Sequence, residues 1–196
     1  MRAALLLSPV LISLSFAPAG GEISAMDRQR LVAHMDMTAS WLESELAGLS
    51  QAQVEFRRAP GTWNILEVLE HLVVVGPIYW QDLQKGVAGK PPAVPTPSRD
   101  VDILWYGIDR GYREIALPTE VPKGEVRNVR AGLEAYRKQH AQLLQYVKTT
   151  KDDLRSRVVE RQRCDAYQWA LLISTHEQRH ILQIREIKAE PKFPPK

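Results

Sequence analysis

Apolar residues recur along much of this chain at steps of three and four, the spacing that gathers side chains on one face of a helix. From Asp27 to Leu49 the positions Leu31, Met35, Thr38, Leu42 and Leu46 mark a first helix. Pro60, Gly61 and Thr62 then interrupt the pattern. Asn64, three residues before Glu67, makes an asparagine version of the capping box that satisfies orphan amides at a helix start. The second helix carries Ile65, Val68, Leu69, Leu72, Val75 and Tyr79 and fades near Lys85. Pro77 lacks an amide and crowds the carbonyl four residues back, so it is expected to kink this helix. A third helix runs from about Glu125 to Val147, with Val129, Leu133, Tyr136, Leu143, Leu144 and Val147 inward. The fourth, from about Asp165 to Lys188, is the most regular: Trp169, Ile173, His176, His180 and Ile187 share one stripe, and Pro191, Pro194 and Pro195 end it. Four long amphipathic helices with no alternating strand pattern predict an all-α four-helix bundle.

Between Gly86 and Gly124 lies a connector of about 38 residues rich in proline, whereas helix connections in bundles run about 2 to 8 residues. A crossover explains the length, because two parallel neighbours can be joined only by a segment that returns the full length of a helix. Within it a short helix is expected around Asp100 to Arg113, with Leu104, Trp105 and Ile108 packing on the bundle. Asp152, Asp153 and Leu154 suggest a further short turn.

The N-terminus has a different character. Arg2 is followed by an apolar run from Ala3 to Phe16 and then by Ala17-Pro18-Ala19, the three-part pattern of a secretory signal. The run is shorter than the roughly 20 residues that span a bilayer, so cleavage after Ala19 is expected, leaving residues 20–196 as a single domain. That reading places the mature protein in the periplasm or outside the cell, off the membrane. Met26, just before the first helix, is the alternative start, and translation from it would keep the chain in the cytoplasm.

Composition narrows the chemistry. Of 196 residues, 44% are hydrophobic and 25% charged, which is ordinary globular material and excludes a disordered or collagen-like chain. A single cysteine excludes a disulfide scaffold and any metal site built on paired cysteines, so metal chemistry must use nitrogen and oxygen ligands. The formal charge of +3 comes from scattered arginines, apart from Arg57, Arg58 and the stretch Arg155, Arg157, Arg161, Arg163, which reads as a solvated face or loop. No stacking platform or helix-turn-helix accompanies them, so no nucleic-acid partner is expected.

His176 and His180 stand one helical turn apart on the buried stripe, where the pattern calls for leucine or isoleucine. Two adjacent imidazoles in a core cost several kcal/mol if unsatisfied, roughly what a metal ion removes by binding their lone pairs. His71, on the inner side of the second helix, is the candidate third ligand. Three imidazoles leave a coordination position for water or substrate, the arrangement of catalytic rather than structural sites. Zinc, nickel, copper and iron all suit such ligands. Gln183 shares the face of the pair and is placed to hydrogen-bond a coordinated water or a ligand. His34 and His140 have no paired partner and read as packing or surface residues. The string from His176 to His180 also satisfies the zinc-protease pattern H-E-x-x-H, with Glu177 as its base. The downstream third ligand of those families is absent, and Glu177 reads instead as a carboxylate facing solvent or standing behind the ligands.

The segments APGTWNILEVLEHL and DAYQWALLISTHEQRHILQI, with AGLSQAQVEFRRAPG before the first and TTKDDLR before the second, resemble the DinB-like superfamily, in particular its DinB and YfiT-like metal-binding branch. The likeness covers nearly all of the chain after residue 26. It implies an up-down-down-up bundle and one divalent ion, zinc or nickel, held by His71, His176 and His180. It also implies a hydrolase that uses water on the tri-histidine ion and acts on a small molecule. The alternatives are a metal-dependent thiol S-transferase or isomerase, and a bundle that binds metal without turnover. Two departures stand out. Relatives often carry polar or acidic residues in the turn after the helix-two histidine, where this chain reads Leu72-Val73-Val74-Val75-Gly76-Pro77. An exported protein also meets less of the cytosolic thiol pool. Bundle surfaces often pair, and Trp80 or Trp105 is a candidate contact for a homodimer.

Overall fold

The structure is a computed structural model that describes residues 21–112 and 114–195. The expected signal segment, residues 1–19, therefore lies outside the described residues. Ser24 accepts the Asp27 amide and opens α1 (Ala25–Leu46), which buries Leu31, Met35, Thr38, Leu42 and Leu46, the five positions read from the periodicity. A five-residue α2 (Gln51–Glu55), unforeseen in the hydrophobic pattern, starts from a capping box between Ser50 and Gln53. The Asn64–Glu67 box opens α3 (Ile65–Ala88) as expected. Asn128 caps α5 (Val129–Thr149), and Asp165 with Gln168 caps α6 (Ala166–Lys188). Each cap supplies an acceptor to amides that have no partner inside the helix, which is why these starts sit at definite residues.

Helix α3 passes through Pro77 and continues to Ala88. The carbonyl that the missing Pro77 amide would have engaged is that of Val73, and Gln139 of α5 donates to it at 3.0 Å. The defect is thus satisfied from the neighbouring helix. Gly76 makes room for that amide, since a Cβ there would collide with the Gln139 side chain.

Helix α1 packs on α5 and α6, and α3 packs on the same two. Thr38 meets Glu177 and Glu45 meets Lys188, so α1 and α6 advance in the same direction. Leu69 lies against Gly132 and Trp80 against Tyr146, so α3 and α5 also run parallel. His71 faces His180 while Tyr79 faces Trp169, so α3 and α6 are antiparallel. One half of the core gathers around Trp169, Leu31 and Leu83, the other around Leu42, Leu69 and Ile184. At the level between them α6 buries Ser174, Thr175, His176 and Glu177, a polar layer in an otherwise apolar bundle.

Because α3 and α5 are parallel neighbours, the segment between them must return the length of a helix. Within it α4 (Asp100–Ile108) lies on α6 through Ile103 and Gly107, where a Cβ would meet Thr175. The expectation that Leu104, Trp105 and Ile108 face the bundle is therefore incorrect: all three are exposed. The bare Gly107 backbone permits the closest approach, and that approach decides which face turns inward. Side chains from the rest of the molecule tie the connector down along its length. Gln168 donates to the Pro97 carbonyl at 3.1 Å, and Arg155 pairs with Asp100 at 2.8 Å. The guanidinium of Arg179 takes the carbonyls of Tyr106, Asp109 and Tyr112. Glu70 accepts the amides of Lys123, Gly124 and Glu125 at 2.7, 3.1 and 2.9 Å.

The arginine stretch is structural rather than simply solvated. Arg155 joins Asp27, Asp100 and Asp165, and Arg161 joins Asp82 and Glu120. On either side of Arg161, β1 (Val158–Val159) pairs antiparallel with β2 (Cys164–Asp165), strands too short to leave an alternating signature. No helix among the described residues is long and apolar enough to cross a membrane.

Candidate metal centre

His71 of α3 and His176 and His180 of α6 are all buried and turn their Nε2 atoms toward one another. The Nε2 of His176 stands 3.3 Å from that of His71 and 3.1 Å from that of His180. Two nitrogens bound about 2.05 Å from one ion at a tetrahedral angle would be about 3.3 Å apart, so the spacing fits shared coordination.

The far sides of two rings settle which nitrogen carries hydrogen. His71 donates from Nδ1 to the Glu120 carbonyl at 2.7 Å, and His180 donates from Nδ1 to Gln183 Oε1 at 2.8 Å. Both Nε2 atoms are left with lone pairs aimed at His176 Nε2, which has one hydrogen at most to share between them, whereas a cation would satisfy all three nitrogens. Protons do not take its place. Burial pushes the His71 imidazole below its usual range, and pushes His176 and His180 well below it, His176 opposed further by His71 and His180 by both His176 and His71. The donor set therefore fits a divalent ion that accepts imidazole.

The triad opens on a cleft of about 500 Å³ between α3, α6, the C-terminal end of α4 and the Gly61–Trp63 loop. Trp63 covers the rings, with centroids 4.9 Å from His71 and 6.4 Å from His180. Arg58, Arg110, Tyr79 and Tyr106 line the rest, with Ile115 and Val121 from the connector. The connector's anchors are neighbours of the ligands in sequence: Glu70 precedes His71, and Arg179 precedes His180. One pair of helices thus positions the imidazoles and also fastens the wall opposite them.

Glu177 does not face the cleft. It is buried on the other side of α6, where Thr38 donates to it at 2.9 Å and Tyr136 at 3.1 Å. Burial pushes its carboxyl up to about 7. Of the two positions expected from the sequence, the solvent-facing one is incorrect, because α6 is enclosed on that side by α1 and α5. A protease-type base at this position is excluded by the same geometry. Gln183 lines the cleft and spends its oxygen on His180. His34 bonds Ser174 at 2.6 Å, and His140 stands 3.5 Å from the Tyr136 hydroxyl, both away from the triad. Trp63, Tyr79, Glu120 and Arg179 had no assigned role in the sequence; a backbone carbonyl as partner, like that of Glu120, leaves no mark on residue identity.

A helical bundle whose buried layer presents three convergent imidazoles to an open cleft defines a bundle protein with a candidate metal centre. The DinB superfamily model matches residues 26–184, and the chain belongs to that superfamily. Among solved structures it is similar to YfiT from Bacillus subtilis, described as a probable metal-dependent hydrolase with an unusual four-helix bundle topology. The two share 14% identity with a TM-score of 0.59, over 88% of this chain and 91% of that one, a likeness of fold. No curated protein matches the chain.

Proposed function

We propose that this protein is a metal-dependent hydrolase acting on a small molecule in the cleft beside His71, His176 and His180, with zinc or nickel as its ion. The observation that carries the reading is the convergence of three Nε2 atoms while the Nδ1 hydrogens of His71 and His180 are committed elsewhere. When bound, such an ion supplies Lewis acidity and lowers the pKa of a coordinated water from 15.7 to about 7. The Glu120 carbonyl and Gln183 hold two imidazoles in the ligating tautomer, and burial keeps all three neutral at physiological pH. Trp63 shields the rings from bulk water. A cleft of about 500 Å³ has the size of a small-molecule site. The description of YfiT as a probable metal-dependent hydrolase agrees with this reading. Export, with cleavage after Ala19, is part of the proposal and is checked by N-terminal sequencing of the mature protein.

Elemental analysis of protein purified without an affinity tag tests the centre. One ion per chain is expected, lost in both His71→Ala and His176→Ala. Absence of an ion after incubation with zinc or nickel, or unchanged stoichiometry in either variant, would overturn the reading. Turnover of chromogenic esters should proceed without added thiol; strict dependence on thiol would transfer the assignment to S-transfer.

A further inference from the structure

The charges around the cleft are already spent. Arg110 pairs with Glu186 at 2.9 Å, and Arg58 meets Glu186 at 3.4 Å and Glu190 at 3.9 Å. Arg179 gives its guanidinium to the three backbone carbonyls that hold the end of α4. These are the arginines that line the cleft, so two face two carboxylates and the third is consumed by the fold. The walls between them are aromatic and aliphatic: Trp63, Tyr106, Ile115 and Val121. A pocket without an uncommitted cation gives an anionic substrate no electrostatic advantage beyond the metal itself.

The hydroxyls are a different matter. Thr62 donates to the Ala59 carbonyl at 2.7 Å, and Tyr106 donates to Glu114 at 3.3 Å. Tyr79 is only 8% exposed and lines the cleft, yet among the described residues its hydroxyl has no hydrogen-bond partner. Its ring is fixed on several sides. The centroid lies 5.2 Å from that of Trp169 and 5.4 Å from that of His176, the Arg161 guanidinium caps the ring at 5.1 Å, and Trp169 Nε1 donates to the Tyr79 carbonyl at 2.9 Å. A phenol is protonated at neutral pH and is a ready donor. An immobilised donor that opens on the cleft is free to bond water there, and a ligand oxygen can take that place.

We propose that the Tyr79 hydroxyl is the substrate-binding donor of this cleft, holding an acceptor oxygen of an uncharged acyl compound beside the triad. This deepens the metal-dependent reading and rests on it. The ester or amide class has what the site asks for: a carbonyl acceptor, no required charge and an apolar body for the aromatic walls.

The test uses the zinc-loaded chain, its Tyr79→Phe variant and two probes followed by calorimetry. Acetohydroxamic acid carries a metal-ligating acyl group with a neutral tail; succinic monohydroxamic acid carries the same group with a carboxylate. Tyr79→Phe is expected to keep its zinc and to bind acetohydroxamic acid about tenfold more weakly, the loss of one hydrogen bond. In the wild type the charged probe is expected to bind no more tightly than the neutral one. Equal affinity for acetohydroxamic acid in the two proteins, loss of zinc from Tyr79→Phe, no binding to the zinc-loaded wild type, or tighter binding of the charged probe would each overturn the proposal. A wild type that takes no zinc overturns the metal reading as well, and is recognised before any probe is added.

Discussion

Gln183 shows how much one side chain behind a candidate ligand decides. Its oxygen is the acceptor for the Nδ1 hydrogen of His180, so it selects both the tautomer and the ring orientation that aim Nε2 at His176. Removing such an orienting partner typically weakens metal affinity by about 10- to 100-fold while leaving the ligands in place. Gln183→Ala is therefore expected to bind one zinc at saturation with affinity reduced in that range, measured by competition with a chromogenic chelator, and Gln183→Glu, which keeps an acceptor, should recover most of it. Affinity unchanged in the alanine variant would remove Gln183 from the centre. The candidate ligands were legible in the sequence because imidazoles interrupted an apolar stripe at one-turn spacing, and His71 sat on the inward side of its own helix. Their supports were not. His71 is held by a main-chain carbonyl 49 residues away, which any residue at Glu120 could offer, and Trp63 sits in a turn whose path the periodicity does not describe. The H-E-x-x-H pattern points to a base at Glu177, but the neighbour of a ligand on a helix faces about 100° away from it, here toward Thr38 and Tyr136.

At the scale of the element, α3 holds a proline within a helix that also carries His71, and α5 makes this tolerable. Gln139 donates to the Val73 carbonyl that Pro77 leaves without a partner, and Gly76 gives its amide the space. Gln139→Leu should destabilise the protein by about 1–2 kcal/mol, because the carbonyl loses its partner beneath a hydrocarbon side chain. Gly76→Ala should cost a similar amount by displacing the same amide, about 1–3 kcal/mol for a clash in a packed region. Since both act through one hydrogen bond, the double variant should lose less than the sum of the two in chemical denaturation; strict additivity would show that Gln139 and Gly76 act separately. The long helices were readable because each combines a capping side chain with a sustained 3.6-residue pattern. Helix α2 was not, although its Ser50–Gln53 capping box stands in the sequence, since five residues are too few to show a period. Helix α4 was located but turned the wrong way. Its Val101, Leu104, Trp105 and Ile108 form the more apolar face, and packing followed the small Gly107 instead. Close approach of two helices depends on where side chains are absent, which a hydrophobic pattern does not weigh.

For the molecule as a whole, the polar layer inside the bundle ties folding to pH. His34, His71, His140, His176 and His180 all lie below the ordinary imidazole value, with burial as the first cause at each. In the unfolded chain they take up protons near pH 6.5, and in the native metal-free protein only at lower pH. The unfolded state therefore binds more protons below about pH 6.5, and the stability contributed by the neutral imidazoles is complete above that value and lost as pH falls. Two carboxyls act in the opposite sense. Burial lifts Glu177 from 4.5 to about 7 and Asp165 from 3.8 to about 6, so the native state holds their protons where the unfolded chain has released them, and each adds stability as pH falls through its window. Five imidazoles outnumber two carboxyls, and the ion-paired Glu43, Glu45 and Glu67, all held below their usual range, add a further loss once pH drops under 4.5. The metal-free protein should accordingly show a falling denaturation midpoint between pH 7.5 and pH 5.5, measured by helical circular dichroism in urea. Zinc should raise the midpoint at pH 7.5, because the native triad presents neutral imidazoles in place and the unfolded chain has no preformed site. A midpoint that rose on acidification would mean that Glu177 and Asp165, rather than the histidines, dominate the proton balance of the core.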